Sequence, residues 1–429
     1  MGQYDPRSMT QEQFDVWFGL PREVKFCKIC NITNQRPNSV NEYEHNAASR
    51  KKTMAFNEAG VCAACMNKEK QHREVDWKKR EQELWALLEK YRRHDGRYDC
   101  IAPGSGGKDS IYAAWLLKYK YKMNPLTVTW SPHLYTDVGW KNFQGWIHKG
   151  GFDNFLFTPN GKVHRLLTRL ATLNLLHPFQ PFILGQKTYV AKMCAQFDIP
   201  LAFYGEMPGE YGTSDGIANA DERKFASTAG SGFSTDMYGG KDKMELYLGG
   251  EKVKDIIENH GVSLADLNAY FPLDPVVARE KQIDIYYLGY FEKWDPQECY
   301  YFSVDKTGFE ANPVRTEGTY SKYNSLDDRI DGYFYYTSWI KFGMGRAMQD
   351  SAQEIRNKKI TTDEGRVLIK KFDGEKPLRY YQEFLDYVGL TDSEFSALCD
   401  KFRSPHLWAK VHGDWKLRHT VFGEGADDH

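Results

Sequence analysis

Six consecutive residues have the types and the order needed to bind a phosphate group. The run Ser105-Gly106-Gly107-Lys108-Asp109-Ser110 follows a strand-like stretch, Tyr98 to Ala102, and precedes a helix-like stretch that begins at Ile111. Small residues in such a turn let successive backbone N–H groups approach an anion without a side chain in the way. The first turn of the helix adds unpaired N–H groups and the positive end of the helix dipole. The run therefore predicts a phosphate site.

The run differs from a Walker A loop, because Ala102 stands where that pattern has glycine and Asp109 where it has Ser or Thr. A carboxylate beside a phosphate is repulsive, so Asp109 predicts Mg²⁺ between the two. Ser105 and Ser110 could add hydroxyl donors. Lys108 could add a charge or point to solvent. The alternative is a turn without a ligand, in which Asp109 and Ser110 only cap the helix.

At these residues the chain resembles the PP-loop ATP pyrophosphatases, whose signature is Ser-Gly-Gly-x-Asp-Ser. The resemblance implies an adenine nucleotide alpha hydrolase-like fold that cuts ATP between the α and β phosphates. It also implies that Asp109 holds Mg²⁺ and that Asp109 and Ser110 are catalytic. The ATP-binding residues that it implies in this run are Ser105, Gly106, Gly107, Lys108, Asp109 and Ser110.

Four of the eight cysteines form two Cys-x-x-Cys pairs, Cys27 with Cys30 and Cys62 with Cys65, with 31 residues between the pairs. Two such pairs in a cytosolic chain favour a four-thiolate zinc site over disulfides. Its role is predicted to be structural, because four thiolates leave no open coordination position. A redox pair is the alternative, but it accounts for only one Cys-x-x-Cys.

The polar stretch Asn38 to Lys52 is predicted to be a loop inserted between the two cysteine pairs, with His45 on its surface. Asn57 to Gly60 is predicted to form a tight turn that directs the second pair. The remaining cysteines are scattered along the chain, and each is predicted to be a small buried residue rather than a nucleophile. They are Cys100, Cys194, Cys299 and Cys399.

The composition is that of an ordinary globular protein, with 429 residues, 41% hydrophobic and 27% charged. The net charge of −1 gives no global field that would attract a nucleic acid. No apolar run approaches the roughly 20 residues that span a bilayer. The first residues, Met1 to Thr10, are polar and lack the apolar core of a signal peptide. We therefore expect a cytoplasmic protein.

From Tyr98 to about Glu206 strand-like and helix-like stretches alternate, which predicts an α/β domain whose parallel sheet has helices on both faces. The strands are predicted at Tyr98–Ala102, Leu126–Trp130, Asn154–Thr158 and Leu201–Gly205. Ligands of such sheets lie beyond the carboxyl ends of the strands, where the glycine run would be. The segment 211–250, rich in Gly, Ser, Thr and Asp, is predicted to be either a lid or disordered.

The whole chain is predicted to have four parts: an N-terminal apolar clip and zinc ribbon (1–70), a linker helix (71–97), the ATP-binding domain (98–275) and a mostly helical region that binds substrate or a partner (276–429). The clip contains Phe14, Trp17, Phe18 and Leu20, and the linker has apolar residues at helical spacing from Trp77.

Further candidates follow the predicted strands. Gly185-Gln186-Lys187, at the predicted start of a helix, could contact the α-phosphate or the substrate, or could simply begin the helix. Glu206 could be a second metal ligand, a clamp on substrate hydroxyls, or a solvated carboxylate. Val128 could line an adenine pocket through its backbone or be an ordinary strand residue. Lys322 and Arg346 could pair with phosphates or a carboxylate, or form surface salt bridges.

Several stretches resemble one PP-loop branch, the N-acetyl sugar amidotransferases of surface-glycan biosynthesis, including lipopolysaccharide and O-antigen. The stretches include Thr33-Asn34-Gln35-Arg36-Pro37, Asn57 to Cys62, Tyr204-Gly205-Glu206 with Glu210-Tyr211-Gly212, Tyr287 to Tyr290, Trp294-Asp295, Gly318 to Tyr323, Asp327-Asp328, Lys341-Phe342-Gly343 and Gly345-Arg346-Ala347. The resemblance implies an ATP-dependent ligase that converts an acetamido group of a nucleotide-activated N-acetyl sugar to an acetamidino group. The amide oxygen would be adenylylated, and ammonia would then displace AMP.

A glutaminase needs a nucleophilic cysteine at the mature N-terminus or in a Gly-x-Cys-x-Gly elbow, and this chain has neither. The resemblance implies a separate glutaminase, with a cyclase-like subunit that channels ammonia. Two alternatives remain. One is a PP-loop enzyme of tRNA thiolation, although the sequence lacks its extra catalytic cysteines and a basic surplus. The other is a zinc-ribbon scaffold without catalysis, which would not need the intact Asp109 and both serines.

Overall fold

The computed structural model describes residues 14–38, 41–207 and 242–424. Most of the segment predicted to be a lid or disordered lies outside the described residues, as does Glu210-Tyr211-Gly212. Its last part, residues 242–250, is described and contains a short 3-10 helix, Lys243–Glu245.

The strands and helices follow one another along the chain in the order expected for an α/β domain with additions at both ends. The strands are β1 Cys100–Pro103, β2 Pro125–Trp130, β3 Asn154–Phe157, β4 Leu201–Tyr204, β5 Tyr247–Leu248, β6 Glu251–Lys252, β7 Asp284–Tyr287, β8 Trp408–Val411, β9 Asp414–Leu417, β10 His419–Thr420 and β11 Gly423–Glu424. The helices are α1 Ala63–Glu74, α2 Trp77–Glu89, α3 Lys108–Trp115, α4 Asp137–His148, α5 Gly161–Leu175, α6 Gln180–Phe197, α7 Val253–His260, α8 Pro275–Glu280, α9 Leu288–Phe291, α10 Pro296–Thr307, α11 Asp331–Phe342, α12 Arg346–Arg356, α13 Thr362–Phe372, α14 Tyr381–Val388 and α15 Asp392–Lys401.

A five-stranded parallel sheet in the order β3-β2-β1-β4-β7 forms the centre of the described fold. The four strands predicted from the sequence are present within two residues of their expected bounds. The fifth strand, β7, was not predicted, because the chain from Val276 onward was expected to be helical. A stretch of four residues has too little periodicity to separate strand from helix, and only its pairing with β4 decides the matter.

Helices cover both faces of the sheet, as predicted. Successive side chains of a strand point to opposite faces. On one face, Cys100 and Ala102 pack with Ile111 of α3, together with residues of α2, α4 and α10. On the other face, Ile101 packs with Leu167 of α5 and with residues of α6 and α14. The carboxyl ends of the strands are therefore left as the open edge of the domain.

The chain after the sheet is mainly helical, with two further unpredicted features, the antiparallel pairs β8 with β9 and β10 with β11. The predicted N-terminal clip packs beside the pair of β8 and β9, where Leu20 lies with Phe342, Leu407 and Trp408. Along the described parts of the chain, we find no helix with the combined length and apolar character needed to cross a membrane.

Candidate functional site

The glycine turn lies between β1 and α3 and has a conformation that depends on glycine. Gly106 has a φ of +82°, which residues with a Cβ rarely adopt. A Cβ added there would also lie 2.6 Å from the Cα of Phe143. Gly107 is the N-cap of α3 and has no side chain to cap the first-turn N–H groups. The helix therefore presents these N–H groups to an anion at its start.

Lys108 and Asp109 form an ion pair in the first turn of α3. The Lys108 side chain is only 9% exposed, so the alternative that it points to solvent is wrong. Burial by itself lowers the pKa of Lys108, but the charges of Asp109 and Glu206 raise it above its ordinary value. Lys108 is thus a fixed positive charge at the turn.

Asp109 has one carboxylate oxygen without a protein partner. Its Oδ2 pairs with Lys108, whereas Oδ1 is buried and has no hydrogen-bond partner among the described residues. A buried acceptor in this state lowers stability unless a donor or a cation meets it. Carboxylate oxygens are the ligands that Mg²⁺ prefers, and the helix N-terminus beside them suits phosphate. The residues present therefore fit Mg²⁺ bound to a phosphate chain.

The glycine turn opens into a cavity of about 530 Å³ at the carboxyl edge of the sheet. Seven of the residues predicted from the sequence line it, namely Ser105, Gly106, Gly107, Lys108, Asp109, Gln186 and Glu206. Ser110 instead directs its hydroxyl to the carbonyl O of Gly107, at 2.9 Å. The structure thus brings together residues that are separated by about a hundred positions in the chain.

The far wall of the cavity belongs to the C-terminal region. Nε of Arg346, the first residue of α12, lies 2.9 Å from Oδ1 of Asp350, and its guanidinium carbon lies 4.1 Å from the centre of the Tyr335 ring. Asp350 also accepts a hydrogen bond of 2.7 Å from the Thr319 hydroxyl. Burial lowers the pKa of Arg346, but Asp350 and its neighbours raise it above its ordinary value. Arg346 is therefore a held cation opposite the glycine turn.

Lys322, the other cation considered from the sequence, is exposed and donates to the carbonyl O of Pro313 at 3.2 Å. It is not part of the cavity wall, whereas Arg346 is.

Three aspartates of the cavity wall were not predicted as site residues. Asp327 faces Ser105, whose hydrogen bond lowers the pKa of Asp327, but burial dominates and raises it. Asp328 accepts from the N–H of His133 at 2.7 Å and so ties the chain after β2 to the C-terminal region. Burial raises the pKa of Asp331 to about 6, although Arg346 opposes the change. The pair Asp327-Asp328 belongs to a stretch that resembles the N-acetyl sugar amidotransferases, so the sequence held a sign that these two residues belong to the site. No feature of the sequence pointed to Asp331.

Three other candidates are not among the residues that line this cavity. Helix α6 begins at Gln180, so the prediction that Gly185 starts a helix is wrong. Gly185 lies in the interior of α6, and the position needs glycine because a Cβ there would approach the Trp130 ring to 2.0 Å. Lys187 lines a second cavity. Val128 is buried in the core, and its carbonyl O accepts the Gly104 N–H at 3.0 Å.

The four paired cysteines come together into one buried cluster, with their sulfur atoms within 4.8 Å of one another. The Sγ atoms of Cys27 and Cys65 are 3.8 Å apart, and those of Cys30 and Cys62 are 3.6 Å apart. Tetrahedral zinc with Zn–S bonds of about 2.3 Å would separate its sulfurs by about 3.8 Å. The cluster therefore could bind zinc. The predicted turn before it is present, with Gly60 at a φ of +78°.

The inserted loop is only partly on the surface. His45 is only 4% exposed, so its predicted surface position is wrong. The reason is that the loop enters the core, where Tyr43 is buried and donates its hydroxyl to the carbonyl O of Tyr270 at 2.5 Å. His45 does not belong to the cysteine cluster.

The cysteines outside the cluster are all buried, as predicted. Burial raises the pKa of each of them, to about 12 for Cys399 and well above the ordinary value for Cys100 and Cys299. A thiol in this state is a poor nucleophile.

Comparison with known proteins gives two matches. Residues 317–421 match the family model described as LPS biosynthesis protein WbpG-like, C-terminal domain. An uncharacterized protein of Methanocaldococcus jannaschii is 34% identical over 83 residues, which is 19% of this chain and 29% of that protein. This chain therefore spans less than a third of that relative. The matched residues include Arg346 and Asp350 of the cavity wall. The match supports a surface-glycan biosynthesis family and suggests an enzyme.

Proposed function

We propose that this protein is an ATP-dependent amidotransferase that converts an acetamido group of a nucleotide-activated N-acetyl sugar to an acetamidino group. The observation that carries the proposal is the buried Oδ1 of Asp109, which has no hydrogen-bond partner among the described residues and lies at the uncapped start of α3. A ligand-free glycine turn would leave this oxygen unpaired. Magnesium on a triphosphate would meet it.

The residues of the turn have distinct tasks in this proposal. The first-turn N–H groups of α3 and Lys108 bind the β and γ phosphates, and Asp109 holds Mg²⁺. The metal, when bound, neutralises phosphate charge as pyrophosphate leaves. Ser105, in the turn itself, hydrogen-bonds with Asp327 and helps to orient the phosphate chain. Glu206, which already acts electrostatically on Lys108, is a second candidate ligand or a clamp on sugar hydroxyls.

The chemistry needs adenylylation because an amide carbonyl is a poor electrophile. The amide oxygen attacks the α-phosphorus and pyrophosphate leaves, while the amide N–H proton is lost, which gives an O-adenylyl imidate. Ammonia then adds to the carbon, and AMP leaves with the former amide oxygen. The protein acts by holding the reacting groups in place and by stabilising charge on the phosphates. Arg346, across the cavity from the turn, supplies a fixed positive charge for this purpose.

Ammonia is proposed to come from a separate glutaminase, with a cyclase-like channel subunit. The lone cysteines support this part of the proposal, because Cys100, Cys194, Cys299 and Cys399 are buried with raised pKa values and are poor nucleophiles. The purified chain alone is expected to use free ammonia and not glutamine.

The test is to incubate the full chain with ATP, Mg²⁺, ammonium and a panel of UDP- and CMP-linked N-acetyl sugars. Mass spectrometry should find one sugar in which an oxygen is replaced by NH, with AMP and pyrophosphate in equal amounts. Release of ADP, or no modified sugar in any reaction, would contradict the proposal. Use of glutamine by the chain alone would contradict only the part about the partner.

A further inference from the structure

A second cavity, of about 320 Å³, adjoins the one at the glycine turn. It lies between the loop inserted between the cysteine pairs, helix α6 and helix α11. Arg36 and Gln349 line both cavities, so the two meet at these side chains. A ligand in the second cavity would therefore reach toward the phosphates bound at the first.

The second cavity has more basic side chains than acidic ones. Lys51, Lys187 and Lys341 line it in addition to Arg36, and Glu42 is the one carboxylate among its lining residues. Burial by itself raises the pKa of Glu42, but His45 and Lys187 lower it to about 2, so Glu42 stays charged. Glu42 alone cannot balance Lys51, Lys187 and Lys341, and unbalanced buried charge is unfavourable.

Lys341 is deeply buried, Lys51 is partly buried, and both are close to basic neighbours. Lys341 is 4% exposed and donates to the carbonyl O of Leu175 at 2.5 Å. Nζ of Lys51 lies 3.0 Å from Nε2 of His45. Burial lowers the pKa of both lysines, and Lys51 lowers that of Lys341 further. The cavity thus favours the uncharged form of Lys51 and Lys341, and a bound anion would favour their charged form.

A histidine of the wall also lacks a partner. Nδ1 of His177 is buried and has no hydrogen-bond partner within the described part of the chain. Burial lowers the pKa of His177 to about 3, so the ring is neutral and can donate from one nitrogen. Its ring stacks on Phe334, with the ring centres 5.1 Å apart. The cavity therefore offers a neutral donor beside its cations.

We propose that this second cavity binds the phosphate or diphosphate group of the nucleotide-activated sugar, with Lys187 and Lys51 as its main cationic contacts. The proposal rests on the proposed function, because it assigns the second substrate a place beside ATP. It also gives Lys187 a role at the second substrate rather than at the α-phosphate of ATP. The sugar would then extend past Arg36 and Gln349 into the first cavity.

The first test measures binding of UDP, CMP and uncharged uridine by calorimetry, with α,β-methylene-ATP and Mg²⁺ present to occupy the glycine turn. UDP or CMP should bind, and uridine should bind much more weakly. In Lys187→Met the affinity for the bound nucleotide should fall about tenfold or more, since a charge-assisted hydrogen bond is lost. Lys187→Arg keeps the charge and should retain most of the affinity. The matched control is Lys162→Met, an exposed lysine in the first turn of α5.

A second measurement tests whether the buried lysines are recharged. At a pH high enough to leave these lysines partly uncharged, nucleotide binding should take up protons, seen as a binding enthalpy that depends on the ionisation enthalpy of the buffer. The uptake should shrink in Lys51→Met. The charged and titratable groups that face one another here are Lys51, Lys187, Lys341, Arg36, Glu42, His45 and His177.

The proposal fails if Lys187→Met binds UDP and CMP as the unmodified chain does, or if neither binds better than uridine. Competition between the nucleotide and the ATP analogue would also overturn it. These outcomes are distinct from failure of the proposed function, which is seen as absence of AMP and modified sugar. Asp109→Asn should retain binding of UDP or CMP even though its release of pyrophosphate is strongly reduced.

Discussion

The Arg356 guanidinium donates a hydrogen bond to Sγ of Cys30 across 3.6 Å, so the cysteine cluster is joined to the last residue of α12. The same helix packs Met348, Ala352 and Ile355 against the cluster. Its other side carries Arg346 and Asp350 in the wall of the first cavity. The cluster therefore supports the helix that positions the cation opposite the glycine turn.

This relationship predicts that removal of zinc affects the distant site. Cys62→Ser should lose bound zinc, melt several degrees lower and release less pyrophosphate, because α12 loses its support. The measurements are zinc content by mass spectrometry, thermal unfolding and pyrophosphate release. Cys399→Ser, at a buried cysteine outside the cluster, is the control and should keep its zinc. Full zinc binding by Cys62→Ser would contradict a four-cysteine site.

Asp109→Asn should reduce pyrophosphate release about 10²- to 10³-fold, the usual loss when one electrostatic contact to a developing charge is removed. The fold should survive, because the amide is isosteric with the carboxylate. Raising the Mg²⁺ concentration should restore part of the rate. Asp137→Asn, at an exposed aspartate in the first turn of α4, is the matched control. Normal pyrophosphate release by Asp109→Asn would contradict the role of Asp109 at the metal, whereas no release by the unmodified chain would favour the scaffold alternative.

Gly106→Ala should be less stable than Gly96→Ala, although both glycines have nearly the same φ, +82° and +81°. The left-handed backbone costs an alanine about 1–2 kcal/mol at either position. Only at Gly106 does the new Cβ also approach the Phe143 backbone to 2.6 Å, whereas nothing lies within 4 Å at Gly96. Urea unfolding of the two variants measures the difference. Equal free energies of unfolding would show that the turn can move away from α4.

Asp331 should make the protein less stable as the pH rises from about 4 to about 6. Burial raises the pKa of the folded Asp331 to about 6, above its unfolded value near 4, so the folded state binds the proton more tightly in this interval. The stability due to the proton is therefore present below pH 4 and is lost by pH 6. Two pKa units correspond to about 3 kcal/mol.

Asp331→Asn removes this pH dependence. The unfolding free energy of the variant, relative to that of the unmodified chain, should therefore increase from pH 4 to pH 6. Urea unfolding at closely spaced pH values provides the measurement. A constant difference from pH 4 to pH 7 would mean that Arg346 keeps Asp331 ionised throughout.

Local patterns were enough to predict the sheet and one wall of the site. The alternation of strands and helices, the glycine turn and the cysteine pairs each depend on neighbours in sequence, and the structure places them as expected. The strand β7 was missed because its four residues become a strand only by pairing with β4. His45 was misplaced for a similar reason, since a polar loop gives no local sign that its Tyr43 will enter the core.

The sequence by itself determined where a phosphate chain and a zinc ion could bind, because each of those sites is built from a short run with fixed spacing. Only the tertiary structure decided what faces them. Arg346, Asp350 and Asp331 meet the glycine turn from more than two hundred positions away, and Lys51 meets Lys187 and Lys341 in a buried cavity. Such contacts arise from the packing of whole helices, which no local spacing encodes.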